Sequence, residues 1–594
     1  MFYNFGHTHL KTICFALLFL LSLTMGAQEN FRVRFNNAFT PRDAQKMSAE
    51  GYVPSGSIPF RLTGNKGINL DDAAGKKMKP LSKAIVTCTI KSEKADKIYM
   101  GMCADWFFTC YVNGEKVLDR DKEGNVKSTL NAHNHIFPVT LKKGVNHVAI
   151  YIRRGNASFY FSIDRMPGKE FWPEEERARQ EIYEQIFREK LKLEEKPYLF
   201  NVSSTGCRIG AVFNNACSVA LKLKKKGSSA VHYEWSLKYG QIVPEKTHIF
   251  TLRNLTPDTE YNYEIVQIVP EKGGEVFLTN GKFRTRPVKQ KNHMFYIVND
   301  MQVGSKAVKR TFDRIVKSTP EFYKADFLVS LGDMANDMYD IFDVYFDSYI
   351  SYLRNQHNVD LPFVFVRGNH EFRGKESSRY ANYFGRPYGA FRMGDVFYFV
   401  LDSGEDAPPV YKKNNVKMLT HTEAYFQQQR EWLKKVINSP ECKTAKYRVV
   451  FSHGTPFEFE NKYFAKNIQY ITDNAFYGKT PKCKVHLWIS GHTHSPFRYD
   501  PVSDTLDGAV PRKTSKILNL TAADRKNIHF PVYVGDGPGG AGEPLSLIQV
   551  NAHKTGFTVK QTAIDGRIMD FVTFTPGKPV QVHQTGYKPY PVKK

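Results

Sequence analysis

The chain has 594 residues, of which 41% are hydrophobic and 24% are charged. A chain of this length is too long to fold around one hydrophobic core, so we expect roughly two to four domains. The composition is typical of globular proteins, which excludes a chain that is disordered throughout. The formal net charge of +25 comes from dispersed Lys and Arg residues rather than from a basic stripe interleaved with aromatic residues. We therefore expect no nucleic-acid partner, although the positive field would attract a phosphate-bearing substrate.

The N-terminus has the pattern of a secretory signal peptide. Basic residues precede an apolar run from Ile13 to Leu23, and the small residues Gly26 and Ala27 follow it. The run is shorter than the roughly 20 apolar residues of a transmembrane helix, and no second run of that length occurs. We predict a signal peptide over 1–27, export to the periplasm or the extracellular space, and no transmembrane segment in the mature chain. An N-terminal membrane anchor is the alternative.

Residues 28–168 are predicted to form an all-β sandwich. Alternating segments lead into Asn113-Gly114, the strongest short hairpin-turn signal, and an apolar strand follows from Val145 to Ile152. These segments resemble jelly-roll, galactose-binding-like modules. The resemblance implies a carbohydrate contact through this sandwich, and a purely structural appendage is the alternative.

A connecting helix is predicted over 169–195. Pro173 suits the first turn of a helix, and the three glutamates that follow it suit the positive end of the helix dipole. Ile182, Ile186 and Leu193 supply part of an apolar stripe. A disordered linker is the alternative.

Residues 196–287 are predicted to form a second β-sandwich. Strand-like runs extend over Arg208–Phe213, Val219–Leu223 and Tyr261–Val266. The segment Leu255–Tyr263 places a Pro-Asp turn before a strand that carries tyrosines. It resembles fibronectin type III domains, including the N-terminal domain of purple acid phosphatases, in which a tyrosine hydroxyl reaches a backbone partner at the sandwich corner.

From Lys291 onward, strands alternate with helices, which is the pattern of an α/β domain. Five continuous apolar runs predict strands that are buried on both faces: His293–Val298, Phe327–Leu331, Phe363–Val366, Tyr447–Phe451 and Val485–Ile489. A polar loop follows each run: Asp300-Met301-Gln302, Gly332-Asp333, Gly368-Asn369-His370-Glu371, Ser452-His453-Gly454 and Gly491-His492-Thr493-His494. Ligands of open α/β sheets bind beyond the carboxyl ends of the strands, so we expect these loops to converge.

The five loops supply carboxylates, amides and imidazoles, which suit divalent ions such as manganese, zinc or iron. Taken in order, they resemble the five motifs of the calcineurin-like metallophosphoesterase superfamily. The resemblance implies a two-sheet α/β metallophosphoesterase sandwich, flanked by helices, over 291–576, with a C-terminal tail over 577–594. The predicted fold class is therefore this α/β domain preceded by two all-β sandwich domains.

The same resemblance implies a site for two divalent metal ions, manganese, zinc or iron. Asp333 would bridge the two ions. The first ion would take Asp300, Gln302 and His494, and the second would take Asn369, His453 and His492. His370 would act as a catalytic acid or charge stabiliser, and Arg373 would pair with a substrate phosphate oxygen, unless it is an ordinary surface arginine.

The implied function is hydrolysis of phosphate monoesters outside the cytoplasm by metal-activated water attack. A phosphodiesterase or nucleotidase with the same site is the alternative, and a glycan-binding protein with a decayed metal site is the non-enzymatic one. Two residues depart from the family pattern. Gln302 stands where many members have histidine, and Asn336 stands where purple acid phosphatases have a tyrosine, which predicts an enzyme without a purple iron–tyrosinate band.

Overall fold

The computed structural model describes residues 30–63, 67–126, 130–166, 177, 191–238, 240–269, 274–290, 292–406, 422–457, 463–509, 518–537 and 546–590. The predicted signal peptide lies outside these residues. The predicted connecting helix also lies outside them, apart from residue 177 and its last residues, which from Leu193 belong to a strand. The chain divides into two compact units, residues 1–190 with 267–276, and residues 191–266 with 277–594. No helix in the described ranges combines the length and apolarity that crossing a membrane requires.

The N-terminal unit is an antiparallel β-sandwich. Its strands are β1 (Phe31–Phe35), β2 (Ile58–Phe60), β3 (Gly67–Asn69), β4 (Lys83–Ser92), β5 (Asp96–Ala104), β6 (Trp106–Val112), β7 (Glu115–Asp119), β8 (His135–Leu141), β9 (Gly144–Arg154) and β10 (Tyr160–Arg165). They form a six-stranded sheet, β2-β1-β4-β9-β6-β7, and a four-stranded sheet, β3-β10-β5-β8. Inward-facing residues of both sheets, among them Phe108, Phe137 and Ile150, form one core. The predicted all-β sandwich is confirmed.

Two local features of this unit follow from its sequence. Asn113 and Gly114 join β6 to β7 with φ of 51° and 85°, the left-handed values that a two-residue hairpin turn requires. Helix α1 (Pro41–Glu50) packs Ala44 and Met47 against the outer face of the six-stranded sheet. The short helix α2 (Leu70–Ala73) and a 3₁₀ turn (Ala132–Asn134) complete the unit.

From residue 191 onward the chain contains a second set of strands and most of the helices. The strands are β11 (Leu193–Phe200), β12 (Cys207–Cys217), β13 (Val219–Lys225), β14 (Val231–Trp235), β15 (Leu237–Lys238), β16 (Gln241–Ile242), β17 (Glu245–Leu252), β18 (Glu260–Val269), β19 (Gly274–Arg284), β20 (His293–Val298), β21 (Phe327–Ser330), β22 (Phe363–Phe365), β23 (Gly389–Met393), β24 (Val396–Leu401), β25 (Tyr447–Ser452), β26 (Leu487–Ser490), β27 (Phe497–Asp500), β28 (Thr505–Gly508), β29 (Val532–Val534), β30 (Ser546–His553), β31 (Gly556–Ala563), β32 (Ile568–Phe574), β33 (Gln581–Thr585) and β34 (Lys588–Pro589). The helices are α3 (Ser305–Ser318), the π-helix α4 (Phe342–Ile350), α5 (Ser351–His357), α6 (Tyr380–Phe384), α7 (Glu423–Val436), α8 (Pro440–Thr444), α9 (Tyr463–Thr472) and α10 (Ala522–Asn527). Single 3₁₀ turns occur at Phe322–Lys324, His370–Phe372 and Ser377–Arg379.

Two large sheets form the α/β part of the second unit. One has ten strands in the order β17-β12-β11-β22-β21-β20-β30-β31-β32-β33, and the other has eight in the order β23-β24-β25-β26-β29-β27-β28-β34. Their facing sides share a core that includes Phe295, Val329, Phe451 and Ile489. The outer side of each sheet is covered by helices. The predicted two-sheet α/β sandwich is confirmed, and the five predicted central strands are buried on both faces.

The ten-stranded sheet contains strands from both of the predicted domains, 196–287 and 291–576. Strand β11 pairs in parallel with β22 at Phe200 and Phe363, and Asn201 N donates to Phe363 O at 2.9 Å. β11, β12 and β17 also enclose a second core with β13 and β18, and within it Tyr261 Oη accepts a hydrogen bond from Thr256 N at 2.9 Å. The strands β11–β19, which we call the β-module, thus cover a strand edge that the α/β part would otherwise expose.

Candidate metal centre

All the loops that follow the five predicted central strands meet at one place. β20, β21 and β22 are parallel neighbours in the ten-stranded sheet, and β25 and β26 are parallel neighbours in the eight-stranded sheet. Their carboxyl ends bring together two groups of potential ligands, Asp333 with His453 and His492, and Asp300 with Asp333 and His494. Within each group the ligand atoms lie within 4.8 Å of one another. Asp333 belongs to both groups.

The distances between these side chains are those of atoms arranged around a common centre. His453 Nε2 lies 3.1 Å from Asp333 Oδ2 and 3.8 Å from Asp300 Oδ1. His494 Nε2 lies 3.1 Å from Asp300 Oδ1. Gln302 joins the group by donating from Nε2 to Asp333 Oδ2 at 2.8 Å, and a rotation of its amide would turn the oxygen toward the same point.

The donor set fits divalent cations, because carboxylate oxygens and imidazole nitrogens converge in each group. Asp300 Oδ1 is buried and has no hydrogen-bond partner in the described part of the chain. The Asn369 amide lies 3.2 Å from both His453 Nε2 and Asp333 Oδ2 and 3.1 Å from His492 Nδ1, and it can turn either its oxygen or its nitrogen toward them. Such a buried concentration of acceptors is unfavourable alone and is stabilised by a cation.

The backbone is left-handed at five of the seven predicted ligands. The φ angles are 49° at Asp300, 39° at Gln302, 56° at Asp333, 69° at His492 and 49° at His494. Each such residue costs about 1–3 kcal/mol when the side chain disfavours it, and such residues cluster at functional sites. The surrounding structure therefore holds these side chains in place against a local conformational cost.

Glu371 holds two of the ligand loops and was not assigned a role from the sequence. Its carboxylate is fully buried. Oε2 accepts from Gly368 N at 2.8 Å and from Asp333 N at 2.9 Å, and Oε1 accepts from Met334 N at 2.9 Å and from Tyr345 Oη at 3.1 Å. Its place in the third motif was the only signal in the sequence, and its contacts with Asp333, Met334 and Tyr345 are long-range.

A sixth loop, after β29, also reaches the centre and was missed. Asn299 Nδ2 donates to Asp300 Oδ2 at 2.7 Å and to Asp536 O at 2.8 Å, which ties this loop to the first motif. A Cβ on Gly537 would lie 2.6 Å from the His494 ring, so the backbone passes directly against a predicted ligand. The short apolar run of β29 followed by Gly-Asp-Gly resembles the other strand-to-loop patterns and was a usable signal.

His370 and Arg373 lie beside the ligands. His370 Nδ1 is 2.5 Å from Asn336 O, and its Nε2 is 3.8 Å from Asp333 Oδ2. Arg373 Nη1 lies 3.0 Å from His370 Nε2. Because a backbone carbonyl can only accept, Nδ1 carries a proton and Nε2 is the ring atom turned toward the site.

Arg373 is held by two acidic residues of the loop after β24. Its Nη2 lies 2.5 Å from Glu405 Oε1 and 2.9 Å from Asp406 Oδ1. Burial raises the pKa of Glu405 to about 8, and its hydrogen bond with Asp406 acts in the same direction. No motif in the sequence marked these two carboxylates. The predicted substrate arginine is therefore anchored within the site and is not a free surface residue.

The imidazoles and carboxylates shift one another's pKa values. Burial by itself lowers the pKa of His453, but Asp333 and Asp300 outweigh burial and raise it to about 10. Burial lowers the pKa of His492 to about 4, and the charge of His453 acts in the same direction. Burial would raise the pKa of Asp333, yet the neighbouring histidines hold it below its usual value. Cation binding must displace the His453 proton, so metal affinity should rise with pH.

Residues 293–496 match the model of the calcineurin-like phosphoesterase family. Over this segment the chain is similar to calcineurin-like phosphoesterases. The segment contains every predicted ligand, His370 and Arg373, and the predicted class of enzyme, a metal-dependent phosphoesterase, is confirmed. A comparison with curated protein sequences gave no match.

Solved structures similar to the chain include PhoD and two phosphatases. PhoD is 11% identical, with 67% of this chain and 94% of that chain covered and a TM-score of 0.40. A purple acid phosphatase from yellow lupin (Lupinus luteus) seeds is 12% identical, with 83% and 93% covered and a TM-score of 0.37. A dimetal phosphatase from Danio rerio is 11% identical, with 48% and 100% covered and a TM-score of 0.30.

Proposed function

We propose that this protein is an exported enzyme that hydrolyses phosphate monoesters with the aid of two divalent metal ions. One observation carries the proposal. Two groups of potential ligand atoms, at the ends of four strands, share the buried carboxylate of Asp333. Their backbone is held in a costly conformation, which is typical of a binding site rather than of ordinary loop caps.

The division of the residues between the two ions is supported by the short distances within each group of ligand atoms. Asp300, Gln302 and His494 would hold the first ion, Asn369, His453 and His492 would hold the second, and Asp333 would be shared. When bound, two such ions supply Lewis acidity and an activated water at neutral pH. Manganese, zinc and iron all suit this mixture of oxygen and nitrogen donors.

His370 is suited to give a proton to the leaving oxygen of the ester. The hydrogen bond to Asn336 O fixes the ring and leaves Nε2 facing the site. A protonated Nε2 is then the atom that protonates the leaving alkoxide, and a positioned acid is typically worth about 10²–10⁴-fold in rate. Arg373, 3.0 Å from this atom, would exchange that contact for a substrate phosphate oxygen.

A monoester is preferred over a diester because His370 and Arg373 give this side of the site a positive charge. A monoester is a dianion, and Arg373 and a protonated His370 present two cationic groups to its non-bridging oxygens. Glu405 and Asp406 hold the guanidinium in one orientation, so little side-chain freedom is lost on binding.

Export and a carbohydrate contact complete the proposal. The sequence of residues 1–27 supports export, and N-terminal sequencing of protein recovered from the periplasm or the medium would test it by the loss of about 27 residues. The β-sandwich of residues 28–168 is the proposed carbohydrate-binding part. A glycan-array screen of the full-length mature protein tests this contact, and the same screen on a phosphatase-dead variant separates it from the metal site.

The decisive experiment is an assay of the metal-stripped protein reloaded with manganese, zinc or iron. The substrates are phosphomonoesters, phosphodiesters and nucleotides, and metal is measured by elemental analysis. We expect highest kcat/KM on monoesters and about two metal ions per chain. Asp333→Asn should lose most of the metal and nearly all turnover, whereas Asp258→Asn, which removes an exposed carboxylate, should lose neither. Faster turnover of diesters would replace monoesterase with phosphodiesterase, and an Asp333→Asn protein with two ions and normal rates would exclude the site.

A further inference from the structure

The second unit contains a cavity of about 410 Å³, and none of the candidate metal ligands lines it. It lies between the strands β12 and β17 on one side and β23 and α7 on the other. Cavities of roughly 300–1,000 Å³ are typical of small-molecule sites. The cavity therefore has the size of a ligand site that the phosphoesterase reaction does not use.

Its lining is strongly basic. Four arginines, Arg208, Arg253, Arg386 and Arg392, contribute to the lining, and Glu441 is the single acidic residue among the lining residues. Glu234 lies within electrostatic reach of Arg253 but forms no ion pair with it. Guanidinium groups repel one another when they share a small space, so this arrangement is stabilised by an anion.

Arg208 lacks the acidic partner that two other arginines of the second unit have. Arg498 Nη1 lies 2.5 Å from Asp570 Oδ1, and Arg367 Nη2 lies 2.5 Å from Asp402 Oδ2. In the part of the chain that the structure describes, the side chains of the partly buried Arg208 and the exposed Arg253 form neither an ion pair nor a hydrogen bond. The guanidinium of Arg208 lies 5.8 Å from the centre of the Phe200 ring. A guanidinium withdrawn from water without a carboxylate implies that its counter-charge is a ligand.

The charges around Arg208 are positive as well. Burial lowers its pKa to about 10, and the charges of Arg386 and Arg253 act in the same direction. The group remains cationic at neutral pH. The positive potential that disfavours the charged form of Arg208 would attract an anion bound beside it.

The other two arginines are fixed in place by the protein. Arg392 Nε donates to Gly394 O at 2.9 Å and its Nη1 donates to Thr444 Oγ1 at 2.6 Å. Arg386 Nε donates to Tyr388 O at 3.0 Å, and the guanidinium lies 5.4 Å from the ring of Trp432. The cavity is therefore preorganised, with a charged part and an aromatic wall.

We propose that this arginine-lined cavity binds a phosphate dianion, either free orthophosphate or the phosphate group of a small organic phosphate whose remainder lies against Trp432. Guanidinium forks match phosphate oxygens in pairs, and a dianion gains twice the attraction of a carboxylate. The site is separate from the metal centre, and it stands whether or not the proposed monoesterase activity does.

The test is calorimetric titration of the full-length, metal-loaded protein with inorganic phosphate and, in a second arm, with phenylphosphonate, which has no ester bond to hydrolyse. Because phosphate also binds metal centres, both arms are repeated on Asp333→Asn, which leaves the cavity intact. The cavity variants are Arg208→Gln and Arg253→Gln, and the second removes an exposed side chain on which folding does not depend. Arg284→Gln, an exposed arginine of the same β-module outside the cavity, is the matched control.

We expect Asp333→Asn to bind one phosphate per chain, and either cavity substitution to weaken that binding roughly tenfold or more, as expected for a lost charge-assisted contact. Arg284→Gln should change it less than about twofold. Tighter binding of phenylphosphonate than of orthophosphate assigns the site to an organic phosphate, and the reverse order assigns it to free phosphate. Absence of binding to Asp333→Asn, or equal affinity in the cavity variants and the control, overturns the proposal.

Discussion

Replacing Gly368 with Ala would add one methyl group directly against the predicted bridging ligand Asp333. A Cβ built there lies 2.2 Å from Asp333 Oδ1 and 2.5 Å from Asp333 N, whereas ordinary contact begins at 3.4 Å. The methyl group and Asp333 Oδ1 must therefore separate by about 1.2 Å. Asp333 cannot simply rotate away, because its N–H is bonded to Glu371 and its Oδ1 accepts from His370 N at 2.9 Å.

Two magnitudes follow for Gly368→Ala. Overpacking of this kind costs about 1–3 kcal/mol in the free energy of unfolding. A displacement of about 1 Å at a catalytic group costs on the order of 10²-fold in rate. We therefore expect a folded protein whose kcat/KM falls by on the order of 10²-fold or more, with reduced metal content.

The assay measures kcat/KM for p-nitrophenyl phosphate, bound metal by elemental analysis, and the free energy of unfolding in urea. Gly586→Ala is the control, since a Cβ there meets only Met569 O at 3.7 Å, and it should leave all three quantities near those of the wild type. If Gly368→Ala binds two ions and turns over within about threefold of the wild type, Asp333 is not the shared ligand whose position matters, and the reasoning fails.

Three further predictions concern other parts of the molecule. His370→Ala should keep its metal and slow alkyl phosphates far more than nitrophenyl phosphates, because only the alkoxide needs a proton; equal slowing of both would rule out an acid role. Protein loaded with iron under oxidising conditions should show no visible tyrosinate band and should be active with manganese, since Asn336 occupies the tyrosine position and its Nδ2 donates to Gln302 O at 3.1 Å; a band that disappears when a tyrosine is mutated would contradict this. Burial lowers the pKa of His486 to about 4, and the charge of Arg448 acts in the same direction. The unfolded chain therefore takes up a proton at this histidine near pH 6.5, whereas the folded chain does so only near pH 4. Wild-type stability in urea should then fall by about 2–3 kcal/mol more than that of His486→Asn between pH 7 and pH 4.5, and parallel curves would show that this histidine does not titrate as expected.

Much of the site could be predicted because each ligand sits directly after a buried strand. Asp300, Asp333 and His453 follow apolar runs whose hydrophobicity is continuous, and parallel strands within each of the two sheets deliver their carboxyl ends to one edge of that sheet. Such a pattern is local, so order along the chain was enough to anticipate convergence in space. The same holds for the Asn113-Gly114 turn, because its backbone demands are set by two residues.

Features that depend on contacts between distant segments were decided by tertiary structure. The sheet that runs from β17 into β22 joins segments more than a hundred residues apart, and an edge strand carries no local sign of the partner that will cover it. Glu371 reads as one more polar motif residue, yet its buried carboxylate binds the backbone of two loops. Arg208 reads as an ordinary strand residue, and only the fold places it in one cavity with Arg386 and Arg253. Periodicity and motif order report which face and which strand end a residue occupies, whereas charge compensation depends on neighbours that the fold alone supplies.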